Sequence, residues 1–559
     1  MDATSLLVRG CGRLASVLIA LAPALVAQTT ERVSVDSAGQ EANGGSIDVV
    51  ISRDGRYVVF SSAASNLVAN DTNAILDVFR HDRNSGATVR VSVDSKGTEA
   101  NGTSRSCAVS DDGNLVAFVS MATNLVAGDT NAYQDVFVRD LAAGTTERVS
   151  VDSSGAEANG FCAGAAMSGD GRFVAFHGNA TNLVAGDSNG CADIFLRNRS
   201  SGTTTRVSVS TTGGEADRDC LSPAISKDGN FVAFQSDARH LVGNDPYGYI
   251  DVFLRDVAAG KTSQVSLTLG GGRPSGDSVR PSISDAGDRV AFESTANDLV
   301  TGDHSHYDVF VRDVPGATTT RASLSSAGEE PNGECEEAHI SGDGVFVAFE
   351  STASNLVDHD VNASADVFVR SLSNSMTTRA SVASDGTGAD GDGGSPAISA
   401  DGTSIGFNSI ADNLVAGDAN GAWDVFVRSR VIAPASASGY GTGFAGTHGI
   451  PGLSVRQSPI LNADVSLDVD NSSGAWTLAF LVVGAAPADI ATNRGGHLLV
   501  LPIRIFVYPL PPAGATLVET VPPLEELAGV HVYLQVLEID AGATYGFSFT
   551  PALDLGLGY

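Results

Sequence analysis

Aspartate and asparagine recur in this chain at a spacing that suits a cation. Asp71, Asn73 and Asp77 form the pattern Asp-x-Asn-x-x-x-Asp. The pattern returns at Asp129, Asn131 and Asp135, at Asp187, Asn189 and Asp193, at Asp360, Asn362 and Asp366, and at Asp418, Asn420 and Asp424. Positions 1, 3 and 7 are those from which a calcium loop draws oxygen ligands. Three side chains fall short of the roughly six to eight oxygens that calcium takes. Backbone carbonyls, water or a stretch such as Glu99-Ala100-Asn101-Gly102 would supply the rest. A conformational reading competes with the calcium one, because Asp and Asn also bond their own backbone and favour turns. Two loops break the pattern and are expected to be the poorest sites: Asp245-Pro246-Tyr247 and Asp303-His304-Ser305-His306.

Other reactive side chains carry less. His304 and His306 lack a third ligand in their loop, so a transition-metal site is not assigned. Glu334, Glu336, Glu337 and His339 make the sixth unit unusual near the expected channel, where drift of the repeat is favoured over a ligand site. Gly186-Asp187-Ser188-Asn189-Gly190 matches the nucleophile-elbow pattern, but the stretch 58 residues earlier is Gly128-Asp129-Thr130-Asn131-Ala132. The repeat therefore explains the match, and no strand-to-helix turn is expected there. No catalytic residue is assigned.

The elements that position these loops follow from a second periodicity. Ser-x-Asp-Gly, or a close variant, starts at Ser52, Ser110, Ser168, Ser226, Ser284, Ser341 and Ser399. The intervals are 58, 58, 58, 58, 57 and 58 residues. A fixed period of this size marks repeated supersecondary units, none able to bury its apolar faces alone. Around Ser168 the unit reads as four strands. Ala163–Ser168 comes first, a Gly-rich turn follows, and Arg172–His177 is apolar on both faces. The long Asp/Asn loop leads to Asp193–Arg197, and Thr204–Val209 is the outer strand. The last unit lacks a fourth strand of its own, and Thr30–Val35 precedes the first motif. The N-terminal strand is therefore expected to pair beside Asp424–Arg428 and leave no open edge. The second-to-third loops and the links between units are the long ones. Both emerge on one side, which is expected to be the binding face.

Ser-x-Asp-Gly followed by an Ala-Phe strand and Asp-Val-Phe-Val-Arg-Asp resembles the TolB-like, WD-repeat-like propeller repeats of exported bacterial proteins. The resemblance covers about residues 29 to 430. It implies a protein-interaction scaffold and brings no catalytic residues with it.

The expected fold is all-β: a seven-bladed β-propeller closed by the N-terminal strand, then a small β-sandwich. Residues 1–27 read as a signal peptide, with Arg9 and Arg13 ahead of the apolar Leu14–Val26. The propeller is assigned to 28–431, a linker to 432–446 and the C-terminal module to 447–559. The formal charge of −32 argues against nucleic acid and anionic membranes as partners. No stretch is apolar enough for membrane insertion. Cys162, Cys220 and Cys335 share a register six residues before the motif serine, and one disulfide is expected among Cys162, Cys191 and Cys220. The resulting expectation is a secreted or periplasmic, monomeric, non-enzymatic scaffold for a protein or polysaccharide partner. Its acidic loop face would be calcium-stabilised. The alternative is a propeller glycosidase or lyase acting on extracellular polysaccharide.

Overall fold

The computed structural model describes residues 7–9, 28–243, 245–302, 307–432, 435–492, 496–521 and 527–559. Apart from Leu7–Arg9, the expected signal peptide lies outside these residues. Contacts divide the chain into two compact units. One holds Thr29–Leu372 and Thr377–Arg430; the other is built on Val431–Tyr559 with Ser373–Met376.

The larger unit is a propeller-like array. Among the described residues it contains seven four-stranded antiparallel sheets, one per Ser-x-Asp-Gly repeat. Repeat 1 runs Ser46–Ile51, Tyr57–Ser62, Asp77–Asp82 and Ala87–Arg90, paired in that order. Repeat 7 borrows its fourth strand: Thr30, Glu31 and Arg32 pair antiparallel with Arg428, Val427 and Phe426. The fourth strands are shorter than the sequence suggested. They stop at the arginine (Arg32, Arg90, Arg148), after which Val35 bridges to Glu41 and Val93 to Glu99 across a tight turn.

Apolar residues on both faces of the middle strands explain the stacking. In each sheet a phenylalanine of the second strand lies opposite one of the third, from Phe60–Phe79 at 6.0 Å to Phe176–Phe195 at 5.7 Å between ring centroids. Each core cluster spans neighbouring repeats: Val119, Val136 and Val149 of repeat 2 pack with Val174, Phe176 and Phe195 of repeat 3. Burying each such side chain is worth about 1.5–3 kcal/mol, and only the next repeat supplies the cover. Val33, Val425 and Val427 pack with Val58, Phe60 and Phe79, so repeat 7 is covered by repeat 1 in the same way.

The motif itself is a self-contained turn. Ser52 Oγ donates to Asp54 Oδ1 at 2.6 Å and accepts the Tyr57 N–H at 2.9 Å. Gly55 takes φ +72°, open to glycine at no steric cost. In repeat 5 alanine replaces the aspartate, and Ser284 Oγ donates to Asp288 instead.

In the smaller unit, Leu453–Val455, Asp464–Val469 and Ala515–Thr520 form one sheet, to which Leu7–Arg9 adds in parallel. Thr477–Ala491, His497–Leu510, His531–Ile539 and Ala552–Gly556 form most of the other. Val465, Leu467 and Leu517 of the first share a core with Leu481, Leu534 and Val536 of the second. The segment 432–446 is not a plain linker. Ser436–Tyr440 pairs antiparallel with Ala552–Gly556, because its backbone satisfies an otherwise open sheet edge. No described helix is long and apolar enough to cross a membrane.

Candidate functional site

The Asp/Asn loops converge as the sequence suggested, but on a protein cation. In repeat 2, Arg148 Nη1 lies 3.3 Å from Asp129, 3.3 Å from Asp135 and 3.0 Å from Glu157. Asp135 opens the third strand and is fully buried; its Oδ1 accepts the Ser150 hydroxyl at 2.5 Å. Asn131 is spent on the protein as well. Its Nδ2 donates to Asp135 Oδ2 and to the Ala158 carbonyl, both at 3.0 Å, and its Oδ1 accepts the Tyr133 N–H. The expected position-3 ligand therefore points its oxygen at the backbone.

The arrangement recurs around the array. Arg90 faces Asp71, Asp77 and Glu99 at 3.2, 3.6 and 2.9 Å. Arg206 faces Asp187, Asp193 and Glu215 at 3.2, 3.1 and 2.6 Å. Arg379 reaches Asp360 and Asp366, both at 3.2 Å, with Gly388 where the glutamate would stand. Asn73, Asn189, Asn362 and Asn420 each donate to the following aspartate, as Asn131 does. Repeat 4 reaches the same end by exchange. Gln264 occupies the arginine position, and Arg273, nine residues on, brings its guanidinium to Asp245 and Asp251 at 3.4 Å. His304 and His306 of repeat 5 lie outside the described residues. Ser188 donates to Glu215 at 2.9 Å, a structural bond rather than a nucleophile's setting. Sequence reading missed the arginines, although they keep the same period.

The charges respond to this burial. Desolvation raises the pKa of Asp71, Asp129, Asp187 and Asp360 against the pull of their arginines. Glu99 and Glu157 are lowered, first by the hydroxyls of Thr72 and Thr130. Repeat 7 has Ala419 where those hydroxyls stand, and Glu41 accepts the Ala419 and Asn420 N–H groups without a hydroxyl. Glu41, Asp418 and Asp424 lie within 4.8 Å of one another, with Arg32 Nη1 at 2.7, 3.3 and 3.4 Å from the three. Burial pushes Asp418 up to about 7.

A second site lies along the axis of the repeats, where sequence placed Glu337 and His339 near a channel but favoured drift of the repeat over a ligand site. Every first strand carries a bulge, and the bulged residue takes a left-handed φ: Asp48, Ser106, Gly164, Ser222, Arg280, Glu337 and Ser395, from 48° to 63°. Together they line a cavity of about 320 Å³. Six are not glycine, a conformation that costs on the order of 1 kcal/mol or more each. Second-strand side chains of the preceding repeat cap three of their N–H groups. Gln235 accepts from Arg280, Glu293 from Glu337 and Glu350 from Ser395, at 2.8, 2.6 and 3.4 Å.

Beyond the bulges the motif residues narrow the axis. The residue after the motif serine bonds its neighbour through backbone in repeats 2 to 5: Asp111 N–H to Gly169, Gly169 to Lys227, Lys227 to Asp285 and Asp285 to Gly342, at 2.8 to 3.2 Å. Arg53 crosses the middle, pairing with Asp111 at 2.8 Å and with Asp285. The cavity is thus floored on the motif side and faces the long loops.

The five described cysteines are free thiols. The expected disulfide is not formed, because Cys162 and Cys220 are buried at equivalent points of separate sheets. Cys220 turns its sulfur to Ser236 rather than toward Cys191.

No protein-family model matches the chain, and no curated protein matches it in sequence. Among solved structures it is similar to an Agrobacterium tumefaciens protein provisionally assigned as TolB, at 18% identity and TM-score 0.31 over 49% of this chain and 79% of that one. The WD40 repeats of RRP9 match at 9% identity and TM-score 0.38, over 72% of this chain and 99% of that one. An ancestral GH74 enzyme matches at 10% identity and TM-score 0.35, over 89% and 68%.

Proposed function

We propose that the chain is an exported, non-catalytic binding scaffold. In this reading it is a seven-bladed β-propeller closed by its N-terminal strand, with a C-terminal β-sandwich module. It acts as a monomer and offers its long-loop face and axial cavity to a protein or polysaccharide partner. One observation carries it: the repeated acids of the loops are tied to arginines of the same array. Groups held this way fix the geometry of a frame and are not free to exchange protons with a substrate. Export rests on the Arg9/Arg13 and Leu14–Val26 pattern alone.

Arginine takes the place of calcium in these loops. Each guanidinium already sits between the paired aspartates and offsets part of their charge, and the asparagine oxygen that a metal would need is bonded to backbone. Purified protein should therefore melt at the same temperature in EDTA and in millimolar calcium. A calcium-dependent rise would return the loops to metal binding.

A glycosidase or lyase reading draws on Glu293 and Glu350, which burial raises to about 7, a range that suits a general acid. Glu293, however, is fully buried and accepts two backbone N–H groups, so no substrate reaches it. Incubation with a panel of acidic and neutral polysaccharides should release no new reducing or unsaturated ends. Release that Glu350→Gln abolishes would replace the scaffold reading with an enzyme.

A further inference from the structure

We infer that Tyr247 and Tyr249, on the second-to-third loop of repeat 4, form a platform for a sugar ring of a neutral polysaccharide. The inference rests on the scaffold reading and deepens it, naming the class of partner and one surface that meets it.

The other repeats show what this loop needs for structure alone. Asn131 of repeat 2 spends its amide on Asp135 and the Ala158 carbonyl. Asn73, Asn189, Asn362 and Asn420 do the same in their repeats. Tyr247 stands at that position in repeat 4 and does none of this; it is 68% exposed. Arg273 holds Asp245 and Asp251 instead, so the loop is tied without the tyrosine ring. Arg239 departs in the same way. It stands where Thr123 and Thr181 accept hydrogen bonds from Asn101 and Asn159. Its guanidinium lies against Gly248, with Nη2 3.1 Å from the place a Cβ would take. Among the described residues that guanidinium has no hydrogen bond or ion pair. Two departures from the repeat, neither needed by the frame, thus meet at one exposed spot.

The chemistry of the spot suits a sugar. The Tyr247 and Tyr249 rings lie 6.4 Å apart between centroids and 28° from parallel, with Tyr249 40% exposed. Tyrosine offers a large, stiff, amphipathic surface at low conformational cost, which matches the C–H face of a pyranose. Between the rings Gly248 takes φ +68°, and its missing Cβ leaves room for the guanidinium. That planar fork of N–H donors answers neighbouring hydroxyl oxygens. Charge then selects the kind of polysaccharide. Asp217 accepts the Arg239 N–H and pairs with His240 at 3.1 Å, while Asp237 pairs with Arg218 at 3.1 Å. A polyanion would gain one guanidinium and meet these carboxylates on a chain of formal charge −32, so a neutral polymer is favoured. A proline-rich peptide also stacks on aromatic rings, but it docks in a groove, and these rings stand exposed on a loop.

Affinity electrophoresis of the full chain in native gels tests the platform. The gels contain hydroxyethylcellulose, galactomannan or dextran as neutral polymers, or polygalacturonate as an anionic one. At least one neutral polymer should retard the wild type, and polygalacturonate should not. Tyr247→Ala/Tyr249→Ala should bind at least about tenfold more weakly across a series of polymer concentrations. Both side chains are exposed, so this variant should keep the wild-type melting temperature. Tyr133→Ala, which removes the exposed tyrosine of repeat 2, should migrate as wild type. Arg239→Gln should weaken retardation without abolishing it. The near-ultraviolet difference spectrum of wild type with the retarding polymer should show a tyrosine signal that the double variant lacks. The inference is overturned if no neutral polymer retards the chain or if the double variant is retarded equally. It is overturned as well if polygalacturonate alone binds, or if a decaproline peptide gives the tyrosine signal and no polysaccharide does. Cleavage of the retarding polymer, by contrast, would remove the non-catalytic reading and leave the platform standing.

Discussion

Arg148 shows what a single side chain contributes in this array. Its head group is 9% exposed and touches Asp129 and Asp135, which are 2% and 0% exposed. Attraction between such groups is offset by the cost of drying them, so the intact cluster adds little net stability. Removing one partner is different, because the remaining charges stay buried without compensation. Arg148→Ala should therefore lower stability by about 3 kcal/mol in urea denaturation. Part of that loss should return on acidification, as the stranded carboxylates take up protons. The variant should also gain a calcium-dependent rise in melting temperature that wild type lacks, since three carboxylates and no guanidinium would remain. Equal calcium response in both proteins would count against arginine as the built-in cation.

At the level of elements, the turn glycine and the borrowed strand are the two sensitive points. Gly229 has φ +76°, and a Cβ there would run into the Phe173 ring of the preceding repeat. Gly229→Ala should cost about 1–3 kcal/mol through backbone strain and overpacking together. A cost near zero would mean that the repeats can shift apart freely. The borrowed strand closes repeat 7 by pairing Thr30–Arg32 with Phe426–Arg428, and it also supplies Arg32 and Ser34 to Asp424. Deleting residues 29–35 would open the Asp424–Ser429 edge and strip the seam of its cation. Gel filtration of the truncated chain should show oligomers or aggregate in place of monomer. A well-behaved monomer with an unchanged melting point would show that the strand is dispensable.

For the whole molecule, the groups shifted furthest upward set the pH dependence. Asp418, Glu293 and Glu350 are raised to about 7 and Asp251 to about 6, all chiefly by burial. An acid raised on folding makes the native state bind more protons than the unfolded one. Stability then falls as pH rises through the folded pKa and recovers below it. The formal charge of −32 acts in the same direction, because acidification relieves repulsion. Melting temperature should therefore be higher at pH 5.5 than at pH 8. The difference should shrink in Glu293→Gln/Glu350→Gln. A melting temperature that stays flat or falls from pH 8 to pH 5.5 would mean that these raised carboxylates do not set the pH dependence.

Periodicity made much of this legible before any coordinates. A motif returning every 58 residues dictates one unit per copy, and apolar residues on both faces of Phe173–Gly178 dictate neighbours on both sides. A missing fourth strand after Ser429 and a spare one before Ser46 dictate that the ends meet. These follow from local pattern, since strand period and turn chemistry are properties of a few consecutive residues. The loop acids were legible as residues that converge, but not as to what they converge on. Arg148 is 19 residues beyond Asp129 and Glu157 a further nine, and only the antiparallel return of the fourth strand brings the three together. Sequence placed the charged stretch of repeat 6 near a channel, but the lining of the axial cavity was hidden for the same reason: one bulged residue from each repeat builds it, and no one repeat contains it. Whether an aspartate meets a metal, an arginine or a hydroxyl is decided by distances across strands, which spacing along the chain does not encode.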